Sequence, residues 1–338
     1  MESIASIAQP VLVTGATGFI GRRVVAKLLE SGVTVRALVL PNENLPEEWG
    51  QIVEIVRGDI SDPTAVASAV SGAGTIIHLA AVVSDWGDET LYWKYTVDGS
   101  RLVFEEAVKN NSRVVLTASV IVYGDNISKS PCPEETGYGK AFGPYSRTKQ
   151  AQEKLAWECF RDKGLRLTVV RPGNVYGPGS GPWLHDIVDV LKTGAPGLIA
   201  GGKGNAGLAY VDNVADVLIL AGLDEKTVGR VYNASDDLDV TWHQYFTDLA
   251  QMIDAKKPGS VPRFAATIGA YVFEGLWKAL RIGKRPPLTR EALNLIGSDN
   301  RFPNRKLVEE LGYTPQVSYA EGMARTRSYI EQTTGAAV

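Results

Sequence analysis

Cysteine and histidine are scarce in this chain of 338 residues. Its two cysteines, Cys132 and Cys159, show no CxxC or other ligand spacing, and its histidines, His78, His185 and His243, form no cluster in the sequence. These spacings give no sign of a disulfide framework or of a metal site. The low cysteine content favours a reducing compartment, so a cytoplasmic protein without a metal is expected.

Basic blocks and long apolar runs are also missing. The formal net charge is −3, from 35 Lys and Arg against 38 Asp and Glu, which argues against nucleic acid as the main partner. Residues 1–9 lack the charged-then-apolar layout of a signal peptide. The most apolar helical stretch, residues 264–282, is too interrupted by charge to span a bilayer. A transmembrane span is therefore not expected, whereas peripheral membrane contact stays open.

Glycine, in contrast, is frequent, with 35 residues, and three glycines form the pattern Gly15-x-x-Gly18-x-x-Gly21. A short apolar strand, residues 10–13, precedes the pattern, and an amphipathic helix over 22–31 follows it. In such an arrangement the first glycine permits a tight turn, the second a close approach to a pyrophosphate, and the third the packing of helix on strand. The N–H groups at the helix start then face the phosphates. The flanking strand and helix favour a dinucleotide site over an ordinary turn.

Strands and helices alternate along the first half of the chain at a spacing of about 30 residues, which predicts an α/β fold with a doubly wound parallel sheet. The predicted strands after the first are 34–40, 52–56, 75–81, 113–119 and 167–170, and the predicted helices are 63–70, 95–109 and 144–162. Beyond residue 172 the pattern loosens: strands are predicted at 208–212 and 230–234, and helices up to 222 and over 242–253, 264–282, 289–296 and 305–311.

These patterns predict two units. Residues 1–172 are expected to form an NAD(P)-binding Rossmann domain, to which 208–223 return. Residues 173–207 and 224–330 are expected to form a smaller, mostly helical substrate domain, and 331–338 a tail.

The end of the second strand selects the cofactor in dinucleotide-binding sheets, where an acid accepts from ribose hydroxyls and an arginine neutralises a 2′-phosphate. Val39 and Leu40 occupy that end and do neither. Arg36 lies further back in the strand, where a packing role is an equal alternative. NAD is therefore slightly favoured, and NADP remains open. Asp59, after the third strand, is placed to accept from an adenine amino group, and His78 in the fourth strand is expected to be a hydrogen-bonded core residue.

Several motifs occur in the order found in one enzyme family: the glycine pattern, Ser119 at the end of the fifth strand, Tyr145-x-x-x-Lys149, the segment from Arg171 to Gly179, and Tyr210-Val-Asp-Asn. Together they resemble the extended short-chain dehydrogenases/reductases, within the NAD-dependent epimerase/dehydratase superfamily. The segments Pro286-Pro-Leu-Thr-Arg and Leu311-Gly-Tyr-Thr-Pro resemble its 3β-hydroxysteroid dehydrogenase branch, which includes bacterial reductases of long-chain 2-alkyl-3-oxo acids.

The resemblance implies a site assembled from these motifs and a homodimer formed through the helices that follow Tyr95 and Tyr145. The implied catalytic residues are Ser119, Tyr145 and Lys149. The implied cofactor residues, besides Tyr145 and Lys149, are Gly15, Thr17, Gly18, Phe19, Ile20, Gly21, Arg36, Asp59, Ile60, Ala80, Ala81, Thr117, Pro172 and Val175. The candidate substrate residues, besides Ser119, are Ser84, Trp86, Asn174, Trp183 and Tyr210.

Tyr145 and Lys149 lie four residues apart on one face of a predicted helix. A free tyrosine, with a pKa of about 10, is three units above neutral, which corresponds to roughly 4 kcal/mol. An ammonium about 4 Å away, at an effective dielectric near 20, contributes on the order of 4 kcal/mol towards the phenolate. Tyr145 is therefore the expected general acid/base, Lys149 lowers its pKa and holds ribose hydroxyls, and Ser119 orients the reacting oxygen. An incidental surface pair is the alternative for Tyr145 and Lys149, and a strand-end cap for Ser119.

The substrate is expected to be hydrophobic, sterol-like or a long-chain 3-hydroxy or 3-oxo compound, whose secondary alcohol and ketone are interconverted. Nucleotide-sugar epimerases and dehydratases, the enzymatic alternative, usually carry an arginine for the substrate pyrophosphate shortly before the Tyr210 motif, and residues 204–209 contain no cation. A non-catalytic NAD(P)-sensing protein is the alternative of another class. The apolar helix over 264–282 is expected either to pack on its own domain, to cover a substrate channel or to rest on a membrane.

Overall fold

The computed structural model describes residues 3–335, and its centre is a parallel sheet of seven strands in the order β10-β6-β5-β4-β1-β2-β3. Two short parallel pairs, β7 with β9 and β8 with β11, lie outside it. The strands are β1 (Val11–Thr14), β2 (Val35–Val39), β3 (Val53–Arg57), β4 (Thr75–His78), β5 (Arg113–Thr117), β6 (Arg166–Pro172), β7 (Asn174–Tyr176), β8 (Leu198–Ile199), β9 (Leu208–Tyr210), β10 (Arg230–Ala234) and β11 (Ser260–Val261).

Helices cover both faces of the sheet. They are α1 (Phe19–Glu30), α2 (Pro63–Val70), α3 (Glu89–Tyr92), α4 (Gly99–Asn110), α5 (Pro144–Lys163), α6 (Asp186–Thr193), α7 (Val211–Leu223), α8 (Trp242–Met252), α9 (Arg263–Ala279), α10 (Arg290–Ile296), α11 (Arg305–Leu311) and α12 (Tyr319–Gly335). Apolar residues of α1 and α7 share one buried cluster with alternate residues of the strands, and those of α2, α4 and α5 share another. Because strand side chains alternate between faces, these clusters are the two sides of one sheet. The predicted doubly wound α/β fold is confirmed.

The predicted domain division differs from the structure at one segment. Residues 230–234, expected in the substrate domain, form β10 and pair with β6 at the edge of the main sheet. The expected tail begins within α12, whose Met323 and Ile330 are buried in the same cluster as α1 and α7; residues 336–338 lie outside the described part of the chain. The chain therefore returns to the sheet domain after entering the helical part.

No helix within residues 3–335 combines the length and the apolar character needed to cross a bilayer.

Candidate active site

The glycine loop joins β1 to α1 at the carboxyl edge of the sheet. Gly15 adopts a φ of 67°, which favours glycine. A Cβ built on Gly21 would lie 2.1 Å from the Gly15 carbonyl oxygen, so the last glycine permits the close packing of helix against loop. Gly18 is the N-cap of α1 and provides no side-chain cap for the first N–H groups. A helix start with uncapped N–H groups, reached through a loop without side chains, fits the diphosphate of a dinucleotide.

Three predicted catalytic residues meet at the same edge. Ser119 follows β5 and caps the 3₁₀ segment Val120–Lys129, its Oγ accepting from the Ile121 N–H at 3.2 Å. Tyr145 lies in the first turn of α5 and its hydroxyl is hydrogen-bonded to Ser119. Lys149, one turn further along α5, donates from Nζ to the Thr117 carbonyl at 2.8 Å. The Thr117 hydroxyl, also buried, has no partner among the described residues and is available to a ligand.

The protonation of this pair differs from the expectation that Lys149 lowers the pKa of Tyr145. Burial raises the pKa of Tyr145 to about 12, and the negative charge of Glu291 adds to the increase, whereas the hydrogen bond with Ser119 opposes it. Burial lowers the pKa of Lys149 to about 7, and the charge of Glu153 opposes this decrease. Lys149 is directed towards Thr117 and Gln152, so it is the lysine that titrates near neutrality.

A buried hydrogen-bond chain runs from Lys149 to β1. The Lys149 Nζ donates to Gln152 Oε1 at 2.9 Å, and the Gln152 amide donates to Ser100 Oγ at 2.8 Å. Ser100 also contacts His78 Nε2 at 2.8 Å, and His78 Nδ1 lies 2.7 Å from Thr14 Oγ1. All five side chains are at most 3% exposed, and the chain links the lysine to the residue before the glycine loop. Sequence reasoning missed Gln152, although its i+7 spacing from Tyr145 places it on the same helix face.

The positions of the protons in this hydrogen-bonded series follow from which groups donate. The Ser100 hydroxyl donates to the Thr96 carbonyl at 2.5 Å, so its oxygen accepts from His78 and Gln152. His78 is therefore assigned as the neutral Nε2–H tautomer, with Nδ1 accepting from the Thr14 hydroxyl. Burial, with the charge of Lys149, lowers the pKa of His78 to about 3. The prediction that His78 is a hydrogen-bonded core residue is confirmed.

Glu291 of α10 supplies the cap that the catalytic helix lacks. Gly143, the N-cap of α5, has no side chain, and the Glu291 carboxylate accepts from the Ser146 N–H at 3.1 Å and the Ser146 hydroxyl at 2.5 Å. Glu291 is 3% exposed, and burial raises its pKa to about 7, while hydrogen bonds from Ser146 oppose the shift. No pattern in the sequence links Glu291 to α5, because Glu291 and its partner Ser146 are 145 positions apart.

The other predicted cofactor residues have mixed outcomes. Ala80 lies against the glycine loop, 3.0 Å from a Cβ built on Gly15, and Asp59 accepts from Ser61 through one oxygen. Arg36 is removed from the candidates: its Nη1 donates to the carbonyls of Ala69 and Ser71 at the end of α2, at 2.8 and 2.6 Å. The remaining residues keep positions at or next to the sheet edge: Thr17, Phe19 and Ile20 in the glycine loop and first turn of α1, Ile60 after β3, Ala81 after β4, Pro172 at the end of β6 and Val175 in β7.

Arg57 was missed by the sequence analysis. It is the last residue of β3 and pairs in register with Val39 of β2. Its Nη1 donates to the carbonyls of Leu40 and Pro41, at 3.3 and 2.9 Å, in the loop after β2. A guanidinium therefore lies at the strand end that selects between NAD and NADP, where the sequence showed no cation.

A cavity of about 260 Å³ opens beside the start of α5. It reaches Pro144, the neighbour of Tyr145, although Tyr145 and Ser119 do not themselves line it. Its walls combine apolar rings, among them Trp86, Phe142 and Trp277, with charged groups of both signs. The cations are Arg147, Lys278 and Arg281, and the acids are Asp85, Asp88, Glu89 and Glu274. Of the candidate substrate residues, Trp86 thus lines the cavity, and Ser84 supports it through a hydrogen bond to the Trp86 carbonyl at 2.9 Å.

Three other candidate substrate residues are built into the protein core instead. Asn174 donates to the Ala206 carbonyl at 2.6 Å and is 2% exposed. The Trp183 ring packs on Trp242 at 5.3 Å between centroids, and Tyr210 packs on Tyr176 at the same distance. None of the three lines the cavity. Aromatic packing and backbone hydrogen bonds engage these residues, and their role in substrate binding stays a prediction.

The segment before Tyr210 is closed to a substrate diphosphate. A Cβ built on Gly204 would lie 2.5 Å from the Ser298 carbonyl oxygen, and one on Gly207 would lie 2.7 Å from that of Asn300. Asn205 donates to the Leu238 carbonyl at 2.6 Å. Residues 204–207 therefore pack directly against residues 298–300, and this packing adds to the lack of a cation there.

Comparison with known proteins gives consistent results. A model of the NAD-dependent epimerase/dehydratase family matches residues 11–235. A 2-alkyl-3-oxoalkanoate reductase of Stenotrophomonas maltophilia is 28% identical, over 94% of this chain and 98% of that protein. A 3-beta-hydroxysteroid dehydrogenase of Mycolicibacterium neoaurum is 27% identical, over 94% and 90%. The dTDP-glucose 4,6-dehydratase of Streptomyces venezuelae, crystallised with NAD, aligns over 96% and 98% with a TM-score of 0.77, and its 23% identity indicates a shared fold alone.

Proposed function

Because this chain belongs to the NAD-dependent epimerase/dehydratase family, and hence to the extended short-chain dehydrogenases/reductases, we propose that it is an NAD(P)-dependent oxidoreductase that interconverts a ketone and a secondary alcohol on a long-chain 3-oxo or 3-hydroxy acid. The observation that carries the proposal is the convergence of Ser119, Tyr145 and Lys149 beside a glycine loop that fits a dinucleotide.

NAD or NADP is the cofactor of this family. The first turn of α1 would hold its diphosphate, Asp59 its adenine, and Lys149 and the unpartnered Thr117 hydroxyl its nicotinamide ribose. When bound, the nicotinamide supplies or accepts the hydride at the carbinol carbon. Arg57, at the end of β3 and beside the end of β2, is a cation suited to a 2′-phosphate, and this weakens the slight preference for NAD that the sequence suggested.

Tyr145 would act as the proton donor when the ketone is reduced. Because its pKa is raised to about 12, the phenol is fully protonated at neutral pH and can give its proton to the developing alkoxide. Ser119, hydrogen-bonded to the same hydroxyl, would orient the substrate oxygen. Lys149, with two of its hydrogen bonds directed to Thr117 and Gln152, retains one bonding direction for a ligand.

The cavity supports an amphiphilic acid rather than a neutral sterol. Trp86, Phe142 and Trp277 offer apolar rings, whereas Lys278 and Arg281 are exposed cations that form no ion pair within residues 3–335. Of the four acids that also line the cavity, Asp85, Glu89 and Glu274 are paired with Arg285, Arg147 and Arg290, and Asp88 caps α3. Such a combination fits a hydrocarbon chain with a carboxylate head. The 2-alkyl-3-oxoalkanoate reductase similarity points the same way. The close packing of residues 204–207 disfavours the nucleotide-sugar alternative, and the intact Tyr145, Lys149 and Ser119 disfavour a non-catalytic sensor.

The test is reduction of long-chain 3-oxo acids by NADH and NADPH, followed at the absorbance of the reduced cofactor. Matched methyl esters and a 3-oxosteroid serve as comparison substrates. We expect turnover of the acids, a loss of about 100-fold or more in kcat for Tyr145→Phe, and unchanged NAD(P)H affinity in that variant. Arg281→Ala should raise KM for the acid and leave KM for the ester unchanged. Full activity of Tyr145→Phe, or tightly bound cofactor that UDP-sugars reduce without net turnover, would contradict the proposal.

A further inference from the structure

Helix α9 presents its large apolar side chains to solvent and its small ones to the protein. Ala266, Ala270 and Glu274, at i, i+4 and i+8, are the buried residues of the helix. Ala266 and Ala270 pack against Ile199 and Leu293, and the Glu274 carboxylate pairs with Arg290. A helix that only supports its own domain shows the opposite distribution, with large apolar residues inside.

The exposed face carries a row of apolar residues at four-residue spacing, here called the α9 row: Phe264, Ile268, Val272, Leu276 and Leu280. Their exposed fractions range from 48% to 71%, and Tyr271 beside them is 56% exposed. Five of the thirteen large apolar side chains exposed in the described part of the chain thus lie on this one helix, and a sixth, Leu280, is its C-cap. Contiguous exposed apolar residues of this kind mark an interaction site, whereas scattered ones do not.

The charge around the α9 row is mainly positive, although exposed Asp254 lies two residues before Lys256 and Asp85 pairs with Arg285. Residues 256–285 contain seven Lys or Arg and one acidic residue, Glu274, in a chain whose net charge is −3. Glu274 is buried and paired, so the solvent side of this segment carries no carboxylate. Lys256 and Lys257 precede the helix and Lys284 follows it; all three are exposed and none forms an ion pair within residues 3–335.

We infer that α9 is an interfacial helix that docks this protein on an anionic lipid surface, lying in the plane of the membrane with the α9 row inserted. An apolar face bordered by Lys and Arg is the pattern that binds such surfaces, through burial of apolar area and attraction to anionic headgroups. A second copy of the chain would bring the same cations together, and a protein partner would need an apolar groove bordered by acidic residues to match this surface. The charge pattern therefore favours lipid.

Docking would bring the cavity to the lipid surface. Trp277 and Lys278 in the last turn of α9, and residues 281–283 after it, line that cavity, which reaches the start of α5. A hydrophobic substrate dissolved in the bilayer would enter beside the helix without crossing water. Docking goes beyond the proposed reaction, and binding to vesicles can be measured without any substrate.

The experiment is co-sedimentation of the full-length protein with vesicles of phosphatidylcholine alone and of equal parts phosphatidylcholine and phosphatidylglycerol. We expect binding to the anionic vesicles, weakened by salt, and little binding to the neutral ones. Phe264→Ser with Ile268→Ser should weaken binding about tenfold or more. The matched control, Ile52→Ser with Val308→Ser, changes two similarly exposed residues elsewhere and should bind as the unaltered protein does.

The electrostatic part is tested with a second pair of variants. Lys256→Gln with Lys257→Gln should weaken binding to anionic vesicles about tenfold or more, whereas Lys192→Gln with Arg327→Gln, which removes the same charge from other exposed positions, should not. Tyr145→Phe should bind vesicles normally even if the proposed reaction fails. Absence of binding to anionic vesicles, or equal losses in both controls, overturns the inference. The inference is also overturned if the protein does not bind vesicles and sedimentation shows a dimer that the Phe264→Ser, Ile268→Ser variant no longer forms.

Discussion

Lys149 shows how much a single buried residue depends on its neighbours. The sequence suggested an ammonium directed at Tyr145, but the structure directs its Nζ to Thr117 and Gln152, and burial lowers its pKa to about 7. Gln152 in turn is held by Ser100, which is held by His78. Burial, opposed by the charge of Glu153, therefore sets the charge state of the lysine, and Gln152 is the neutral side chain that accepts its hydrogen bond.

Gln152→Glu should raise the pKa of Lys149, because a carboxylate would stand where the amide oxygen now accepts from Nζ at 2.9 Å. If protonated Lys149 holds the cofactor ribose, NAD(P)H affinity falls as the lysine loses its proton, with a midpoint near pH 7 in the unaltered protein. We expect Gln152→Glu to move this midpoint upward by about one pH unit or more, equivalent to about 1.4 kcal/mol. Fluorescence titration of NAD(P)H between pH 6 and 9 measures it.

Lys149→Met is the control that identifies the titrating group, since the midpoint should disappear in that variant. Gln152→Met removes the hydrogen bond without adding charge, and it should not move the midpoint upward. A midpoint that is the same in Gln152→Glu and in the unaltered protein would show that Gln152 has no influence on the lysine.

At the scale of elements, α1 and α5 begin in different ways. Both have a glycine N-cap without a side-chain cap of its own. Glu291 provides the missing acceptor for α5, whereas no carboxylate within residues 3–335 caps the start of α1. A negatively charged group at either helix start stabilises the helix, because it accepts from the free N–H groups and interacts with the helix dipole. Only the start of α1 lies on a glycine loop that leaves room for an external anion.

Gly18→Asp tests this difference, because Gly18 has a φ of −71° that any residue adopts. Aspartate is a favoured N-cap, whereas its Cβ would lie 3.2 Å from the Gly15 carbonyl oxygen, so we expect the free energy of unfolding without cofactor to change by less than about 1 kcal/mol. Its carboxylate would occupy the position of the diphosphate and repel it, so NAD(P)H affinity should fall about 100-fold or more. Urea unfolding and cofactor titration measure the two effects.

Gly18→Asn is the matched control, with the same shape and no charge, and it should lose much less affinity than Gly18→Asp. Equal losses in both variants would point to steric exclusion instead of charge. Undiminished binding in Gly18→Asp would place the diphosphate elsewhere.

At the scale of the whole molecule, the helical C-terminal part and the sheet domain are interleaved. β10 completes the sheet, α12 contributes to the core under α1 and α7, and Arg325 of α12 pairs with Asp212 of α7 at 3.0 Å. Glu291 connects α10 to the catalytic helix through a carboxylate that is nearly fully buried. A change of protonation at this one contact should therefore alter the stability of the whole fold.

The raised pKa of Glu291 predicts the direction of that change. Its pKa is about 7 in the fold against 4.5 for a free glutamate side chain. The folded state therefore binds more protons between these values, and Glu291 lowers stability as the pH rises through that window. Glu291→Gln removes the titration. We expect the free energy of unfolding of Glu291→Gln, relative to the unaltered protein, to increase by up to about 3 kcal/mol between pH 4.5 and 8.

Urea unfolding at both pH values, followed by circular dichroism and tryptophan fluorescence, measures the difference. His78 and Lys149 titrate in the same experiments, but they are present in both proteins and cancel in the comparison. A difference that does not change with pH would show that Glu291 is not held protonated by its surroundings. The dimer expected through the helices after Tyr95 and Tyr145 stays a prediction.

Local sequence patterns were sufficient to predict the strands and helices and the residues of motifs with short spacings. Gly15, Gly18 and Gly21 define the loop, and the alternation of strands and helices predicts the doubly wound sheet, because period and turn chemistry are properties of neighbouring residues. The spacing of Tyr145 and Lys149 likewise places them on one helix face. The family resemblance based on these motifs is confirmed by the family match over residues 11–235.

Tertiary structure alone decided which groups meet across the fold. It assigned Arg36 to the end of α2, Arg57 to the tip of β2, and Trp183 and Tyr210 to aromatic packing. It also placed Glu291 on α5 and turned the apolar row of α9 towards solvent. These outcomes depend on contacts between residues far apart in the chain, which no local period encodes, because a side chain's partners and burial follow from how whole elements pack.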